Sequence, residues 1–404
     1  IQRSVPKLGS LGAVFILLKS ALGAGLLIFP WAFEKAGGIH SAVIVEMISL
    51  VFLVSGLVIL GYSSSVSGQN TYQAVVRDVC GPAIGHLCEI CYVFNLFFIS
   101  VAFLVIVADQ LQKCKQCKLI TGLPESEMPY YWYTDQRFAL FLLCLFFIFP
   151  LSVSKEISIQ KYTSAESYYK KIFFWCRQSA LEIRFLNTAV LVLILCLFQC
   201  HEACVAVFSS MENRKLSHWV FISVVSMFIC LIIYSLTGVF GYLMFGKNVT
   251  PDILMSYSGG DVAMIIARLL FGISIITIYP IIVLLGRSVI QDPLLRRRHK
   301  HTAVTGTYES RTRVALTTAW VTITLLIAVF VPDISKVIGV VGGVGAFFIF
   351  IFPGNCALCL LLIYFTRPHD VYLLVTWGMF TLFCGTYIFG QSTSIAIMQL
   401  LSEI

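Results

Sequence analysis

Leu17-Leu18-Lys19-Ser20-Ala21-Leu22-Gly23-Ala24-Gly25-Leu26-Leu27-Ile28-Phe29-Pro30 is the stretch on which the reading of this chain turns. An apolar run long enough for a helix is interrupted at its middle by two glycines and closed by a proline. Glycine relaxes the backbone and proline removes a donor, so unwinding is expected between the two halves of the run. Unwound backbone at membrane depth is tolerable only where it is buried in protein or lines a cavity. There, freed carbonyls can hold a cation while the N-terminus of the second half-helix faces a carboxylate. Close helix packing through Gly-Ala-Gly is the other reading of the same residues.

Outside this stretch the chain is greasy throughout. Of its 404 residues 58% are hydrophobic and 12% charged, with a mean hydropathy of +0.90, whereas soluble domains carry about twice that charged fraction. Apolar residues run on without alternation near 11–33, 40–63, 84–111, 137–153, 187–209, 218–244, 260–287, 313–331, 334–364 and 371–400. Segments of about 20 apolar residues are membrane-spanning helices and not barrel strands. The expectation is an all-α polytopic membrane protein of about ten to eleven spans in contact with the lipid bilayer. Short connections make it a single transmembrane domain over 1–404.

The net charge of +8 sits in short connections, which fits orientation of the spans and not nucleic-acid binding. No Walker motif, metal-ligand cluster or nucleophile beside a base is present, so neither an enzyme, a bound metal nor an organic cofactor is expected. The chain opens at Ile1 without an initiator Met or signal peptide, as an incomplete N-terminus would. Most of the fourteen cysteines, Cys144, Cys196, Cys230 and Cys359 among them, lie in apolar runs and read as small hydrophobes. Cys114 and Cys117 sit in a polar connection, where a disulfide, a metal half-site and two free thiols all remain open.

Basic residues set the orientation. Arg296, Arg297, Arg298, Lys300 and Arg311 mark 288–312 as cytoplasmic, while 245–259 carries one lysine and the sequon Asn248-Val249-Thr250, a glycosylation acceptor that needs the outer side. Counting back from there puts Arg214 and Lys215 inside and residue 187 outside. Counting forward from an inside N-terminus puts 64–83 inside, 112–136 outside and 154–186 inside. The two counts collide over the atypical segment 163–186, whose Lys170, Lys171, Arg177, Glu182 and Arg184 oppose crossing at about 2.5–3.5 kcal/mol per charge near a helix centre. The favoured resolution is that one crossing is missing; the other is a segment lying along the cytoplasmic interface.

A second interruption, Phe198-Gln199-Cys200-His201-Glu202-Ala203, falls in the run 187–209. Ionisable groups inside a span mark sites or relays. His201 is suited to take up a proton near neutral pH, with Glu202 beside it although neighbours on a regular helix do not face each other. A helix end near the cytoplasm is the blander reading. Two discontinuous spans at corresponding places in two halves point to an inverted-repeat transporter with its site at the midplane.

These residues carry a family resemblance. Gly12-Ala13-Val14-Phe15 through Pro30, Ser55-Gly56-Leu57-Val58-Ile59-Leu60-Gly61-Tyr62, Thr71-Tyr72-Gln73, Phe198 to Ala203 and Ile388-Phe389-Gly390-Gln391-Ser392-Thr393 are similar to the sodium-coupled neutral amino acid transporters of the amino acid/auxin permease superfamily. The resemblance covers nearly the whole chain except about 164–190. It implies an eleven-helix fold of the LeuT type, five plus five inverted repeats and one extra helix, in which the fifth helix here is missing or altered. Substrate would be held by the unwound parts of spans one and six: Leu22, Gly23, Ala24, Gly25, Leu26 and Ile28 from the first, Gln199, Cys200 and His201 from the second, and Asn95 from the third span. A coupling ion, Na⁺ or H⁺, would involve Ser274 and Thr277 opposite carbonyls around Leu22 to Gly25.

Departures from the family pattern bear on coupling. Lys19 stands where sodium-coupled relatives have an asparagine, so its ammonium either takes the ion's place or snorkels to the interface. Ile28 replaces the asparagine of a Leu-Leu-Asn-Phe-Pro pattern. Hydroxyls such as those of Ser274 and Thr277 also bond back to their own backbone, and Asn95 and Ser100 serve equally for helix packing. Glu46 and Glu89 are expected at interfaces, with proton carriage as the minority reading, and Gly342, Gly343 and Gly345 for close packing. The function implied is secondary active transport of neutral L-amino acids, glutamine foremost, in the plasma membrane or, alternatively, the lysosomal membrane. A sensor that binds amino acids without moving them is the alternative, motivated by 163–186.

Overall fold

The computed structural model describes residues 8–23, 25–115, 136–153, 198–257, 261–299, 306–331, 334–364 and 368–401. Ala24, Cys117 and the segment 163–186 lie outside them, as does the first part of the run 187–209. The described residues are almost wholly helical: α1 Ser10–Ala21, α2 Gly25–Lys35, α3 Ile39–Ser67, α4 Tyr72–Cys80, α5 Pro82–Lys115, α6 Gln136–Leu143, α7 Phe149–Val153, α8 His201–Ser210, α9 Leu216–Phe245, α10 Ile253–Ser256, α11 Val262–His299, α12 Gly306–Phe330, α13 Ile334–Ala346, α14 Phe352–Tyr364 and α15 Pro368–Leu401. π-Helical turns at Cys144–Ile148 and Phe347–Ile351 join α6 to α7 and α13 to α14.

Among the described residues six helices are long and apolar enough to cross a membrane, or seven when the bent pair α1 and α2 is taken as one span. Ten runs were expected; Arg137–Val153 is a shorter apolar helix, and the run 187–209 is described only from Phe198 onward. The outer face of α3 shows what surrounds these helices. Ile44, Met47, Ile48 and Val51 form a helical stripe that is 56%, 50%, 43% and 56% exposed. Water would penalise such a stripe; hydrocarbon does not.

Two compact units interleave along the chain. The first holds Ile1–Cys91, Arg177–Val249 and Gly339–Ile404, and within it α9 packs on α1, α2 and α3, α8 on α3, and α14 on α15. Missing side chains set these approaches. At Gly61 a Cβ would lie 2.3 Å from the Trp219 indole nitrogen, which donates to the Leu57 carbonyl at 2.9 Å. A Cβ at Gly238 would lie 2.5 Å from the Phe33 ring, and one at Gly343 3.1 Å from Ser392 Cβ, so the expected packing role of this glycine cluster is met where α13 passes α15. Phe348 to Phe352 are buried.

The second unit holds Tyr92–Cys176 and Thr250–Ile338. In it Trp320 of α12 donates to Ser100 at 3.2 Å, and Arg287 of α11 reaches the Ser152 carbonyl at 3.1 Å and Thr317 at 2.8 Å. α11 runs twelve residues beyond the expected end of its span, to His299, and carries the basic run on helix.

Side-of-membrane expectations can be compared inside each unit. Leu8 and Met211 form a parallel bridge, Leu8 N donating to the Ser210 carbonyl at 2.9 Å and Glu212 N to that of Leu8 at 3.0 Å. The N-terminal end and the connection carrying Arg214 and Lys215, both expected inside, are thus adjacent. In the second unit Gln110, near the end of α5, donates to Asp252 of the sequon-bearing connection. The connections 112–136, which follows Gln110, and 245–259, which holds Asp252, were both expected outside.

One element escapes the sequence reading. α4 forms inside the connection 64–83, its first turn capped by Thr71, whose hydroxyl accepts from Ala74 N at 3.4 Å. Gly68 and Gly81 bound it with φ of 66° and 90°, a conformation that suits glycine. Glu89 pairs with Arg77 of this helix and with His86. Glu46 is 1% exposed and accepts from Ser235 of α9.

Candidate functional site

The glycine-made interruption is a break in the backbone. α1 ends at Ala21, α2 begins at Gly25, and the two are bent by 59°. Leu22 N still closes the last turn on the Leu18 carbonyl at 2.7 Å, while Gly23 N turns to the Ala21 carbonyl at 3.0 Å. Leu22 and Ile28 are buried; Gly23, Gly25 and Leu26 are half-buried. Gly25 opens a new helix, in whose first turn Leu26 N reaches back to the Gly23 carbonyl at 3.4 Å. Lys19 is exposed in the last turn of α1, where a cation complements the helix C-terminus.

The second interruption leaves Phe198, Gln199 and Cys200 non-helical ahead of α8. His201 opens that helix fully buried, and its Nε2 lies 3.1 Å from the Leu53 carbonyl of α3. A carbonyl only accepts, so Nε2 carries the proton and Nδ1 is the acceptor. Nδ1 has no partner among the described residues. The imidazole does not pair with Glu202, which accepts from Gln199 Nε2 at 3.4 Å.

The two breaks meet within the first unit. Phe29 from α2 and Phe198 from the second break stand edge to face at 5.6 Å, and each packs on Tyr234 of α9, at 4.5 Å and 4.6 Å. The Tyr234 hydroxyl donates to the Ala21 carbonyl at 2.8 Å, the last carbonyl of α1. One buried tyrosine therefore touches both broken segments. The next residue on α9, Ser235, donates to the carboxylate of Glu46.

Tyr234 and Ser235 were not among the residues singled out from the sequence, and Gly56 was quoted only as part of a family motif, with no role given to it. A tyrosine deep in an apolar helix needs a hydroxyl partner, which is the signal that marks it. Gly56 is required by the imidazole: a Cβ there would lie 2.8 Å from His201 Nε2 and 3.0 Å from the Ile349 carbonyl.

Of the remaining expected site residues, Asn95, Ser274 and Thr277 belong to the second unit and Asn248 to the first. Asn95 is fully buried in α5. Ser274 and Thr277 are half-buried on α11, and the Thr277 hydroxyl donates to the Ser274 carbonyl at 2.8 Å. Asn248 is exposed at the end of a 3₁₀ turn, Gly246–Asn248. Beyond it, Asp252 is buried, its carboxylate accepting from Leu254 N at 3.0 Å and from Gln110. Burial pushes this carboxyl up to about 7, outweighing the Arg268 guanidinium nearby. No group of three or more histidines, cysteines or acids suited to a metal occurs among the described residues.

Apolar helices long enough to span a membrane, with a broken pair among them, belong to a polytopic helical membrane transporter. The family is given by sequence comparison. The model of the transmembrane amino acid transporter protein family matches residues 7–169 and 186–398, and the chain belongs to that family. Its relatives include a Xenopus tropicalis protein named as number 8 of the sodium-coupled neutral amino acid transporters, 53% identical over 425 positions covering 100% of this chain and 96% of the relative. Human solute carrier family 38 member 8 is 49% identical, covering 97% and 94%. Sodium-coupled neutral amino acid transporter 7 of Danio rerio is 40% identical, covering 96% and 87%. A manganese transporter from Eremococcus coleocola aligns with 96% of this chain and 92% of its own at 12% identity and a TM-score of 0.38, too loose a likeness to inform the helix plan. These relatives are transporters by name, and the chain is not an enzyme.

Proposed function

We propose that this protein is a secondary active transporter of neutral L-amino acids, glutamine foremost, working by alternating access on a LeuT-type inverted-repeat frame. The observation that carries the reading is the meeting of the two broken segments on Tyr234, within one compact unit. A zwitterion has one group for each kind of backbone end. Its carboxylate suits the amides that open α2 near Gly23 to Leu26, and its ammonium suits carbonyls near Leu22 and Gln199. His201 Nδ1 is a buried acceptor awaiting a donor, which a substrate carboxamide N–H supplies. Cys200 lines the same turn, and Asn95 is a further residue proposed for the substrate.

Coupling is by Na⁺ or H⁺. The names of the relatives favour sodium, with Ser274 and Thr277 as oxygen ligands; Lys19 in the place of an asparagine favours partial replacement of the ion by an ammonium. The plasma membrane is the proposed site of action, with Asn248 glycosylated on the outer face. Uptake of labelled glutamine into proteoliposomes, with and without Na⁺ and with and without a pH gradient, tests the function. Concentrative uptake supports it. Saturable binding without flux would replace it with the sensor reading.

A further inference from the structure

α4 is suspended between two glycine joints, Gly68 and Gly81, and is fastened to the span broken by the Phe347–Ile351 π turn at both of its ends. At its start the Tyr72 hydroxyl donates to the Phe348 carbonyl at 3.2 Å, with the ring against Phe348 and Phe352 at 5.5 Å and 6.2 Å. At its end Cys80 Sγ lies 3.6 Å from Cys356 Sγ of α14, two thiols 276 positions apart in sequence. Cys80 is half-buried and Cys356 fully buried. All of these residues belong to the first unit.

We propose that Cys80 and Cys356 form a reversible disulfide site that, once closed by peroxide, locks α4 onto α14. The sulfurs need to approach by about 1.5 Å to reach bonding distance, which side-chain rotation supplies. The Cys80 thiol gives up its proton as its sulfur attacks one peroxide oxygen; the O–O bond breaks, and the leaving hydroxide takes up that proton, so that a sulfenic acid and one water result. Cys356 sulfur then attacks the Cys80 sulfur; an S–S bond forms, the S–O bond breaks, and hydroxide takes up the released proton as a second water. Two thiols are oxidised by two electrons and one peroxide is reduced to two waters. A thiol reductant reverses the reaction by exchange.

The setting suits a switch and not a structural bridge. The connection 64–83 is cytoplasmic by the charge count, where thiols rest reduced and disulfides are transient. The hydrogen bond to Cys356 and burial hold the Cys80 thiol far above its ordinary range, which slows its oxidation; the pairing itself rests on the 3.6 Å approach of the two sulfurs. Locking α4 matters because its glycine joints and its seat on a π turn are the features that let it shift as the neighbouring span rearranges.

The test uses the full chain in membranes, treated with hydrogen peroxide and digested without reductant. Peptides bearing residues 80 and 356 should be recovered joined, lighter by two hydrogens, and labelled glutamine uptake should fall and return on adding dithiothreitol. Cys80→Ser and Cys356→Ser should abolish both effects, while Cys359→Ser, one turn away, should retain them. No joined peptide, or joining to Cys359, overturns the site. Joined peptides with unchanged uptake overturn the lock. The peptide result stands whether or not the chain transports glutamine, so failure of the transport reading is distinguishable from failure of this one.

Discussion

Tyr234 is the residue on which the two broken segments converge, and its hydroxyl and its ring do separable things. Tyr234→Phe keeps the contacts to Phe29 and Phe198 but leaves the Ala21 carbonyl with Gly23 N as its donor and without the hydroxyl. Losing such a bond costs about 0.5–1.5 kcal/mol. Thermal unfolding in detergent should register that loss, and glutamine uptake should fall with it; unchanged unfolding would show the bond to be idle. Asp252 makes a prediction of opposite kind, about pH. Its folded-state value, near 7, lies above the ordinary 3.8, so the folded protein keeps a proton that the unfolded chain releases. Its contribution to stability is full below about pH 4 and is lost as pH rises through 7. Asp252→Asn should flatten the stability profile between those limits, and a slope surviving in the variant would assign it to other groups. Neither residue was legible from sequence, for a physical reason: Ala21 and Tyr234 are 213 positions apart, Gln110 and Asp252 142, and no periodicity reports which side chains meet across such distances.

Elements were far more legible, because apolar run length and glycine or proline punctuation are local properties. The break after Ala21 could be read from Gly23, Gly25 and Pro30, and that before His201 from a polar cluster in an apolar run. α4 was missed because nine residues in a polar connection carry too little apolar signal, and its hold on the π turn is tertiary. Glycines that look alike in sequence differ sharply in what they do. A Cβ at Gly56 would meet His201 and the Ile349 backbone within 3.0 Å, whereas one at Gly23 would meet nothing within 4 Å. Gly56→Ala is therefore expected to destabilise the protein by about 1–3 kcal/mol, as overpacking does, and to displace the imidazole at the second break. Gly23→Ala is expected to fold like the parent, so that any fall in its glutamine uptake reports on the break itself. Melting curves that rank the two variants the other way would show that α3 and α8 do not approach as described.

For the molecule as a whole, the question is how many times the chain crosses. The family model leaves 170–185 unmatched, inside the segment whose charges oppose insertion. The Xenopus tropicalis alignment runs over 425 positions against 404 residues here, so at least 21 positions, 425 less 404, have no residue in this chain. One crossing takes about 20 residues. The Leu8–Met211 bridge adds a constraint that charge counting lacked, since it keeps residue 213 on the side of the N-terminal end. Forward counting already keeps 154–186 on that side. A single complete crossing between 187 and 209 cannot join two points on one side, so the proposal of a missing crossing makes a sharp prediction. Single-cysteine reporters near 165, 185 and 213 should all react with a membrane-impermeant maleimide only after the cytoplasmic face is opened, while the glycan on Asn248 is removable from outside intact cells. A reporter near 185 that reacts from outside would show that 163–186 crosses despite its six charged residues. The chain would then have the full family complement of crossings, and the sensor alternative would lose the observation that motivates it.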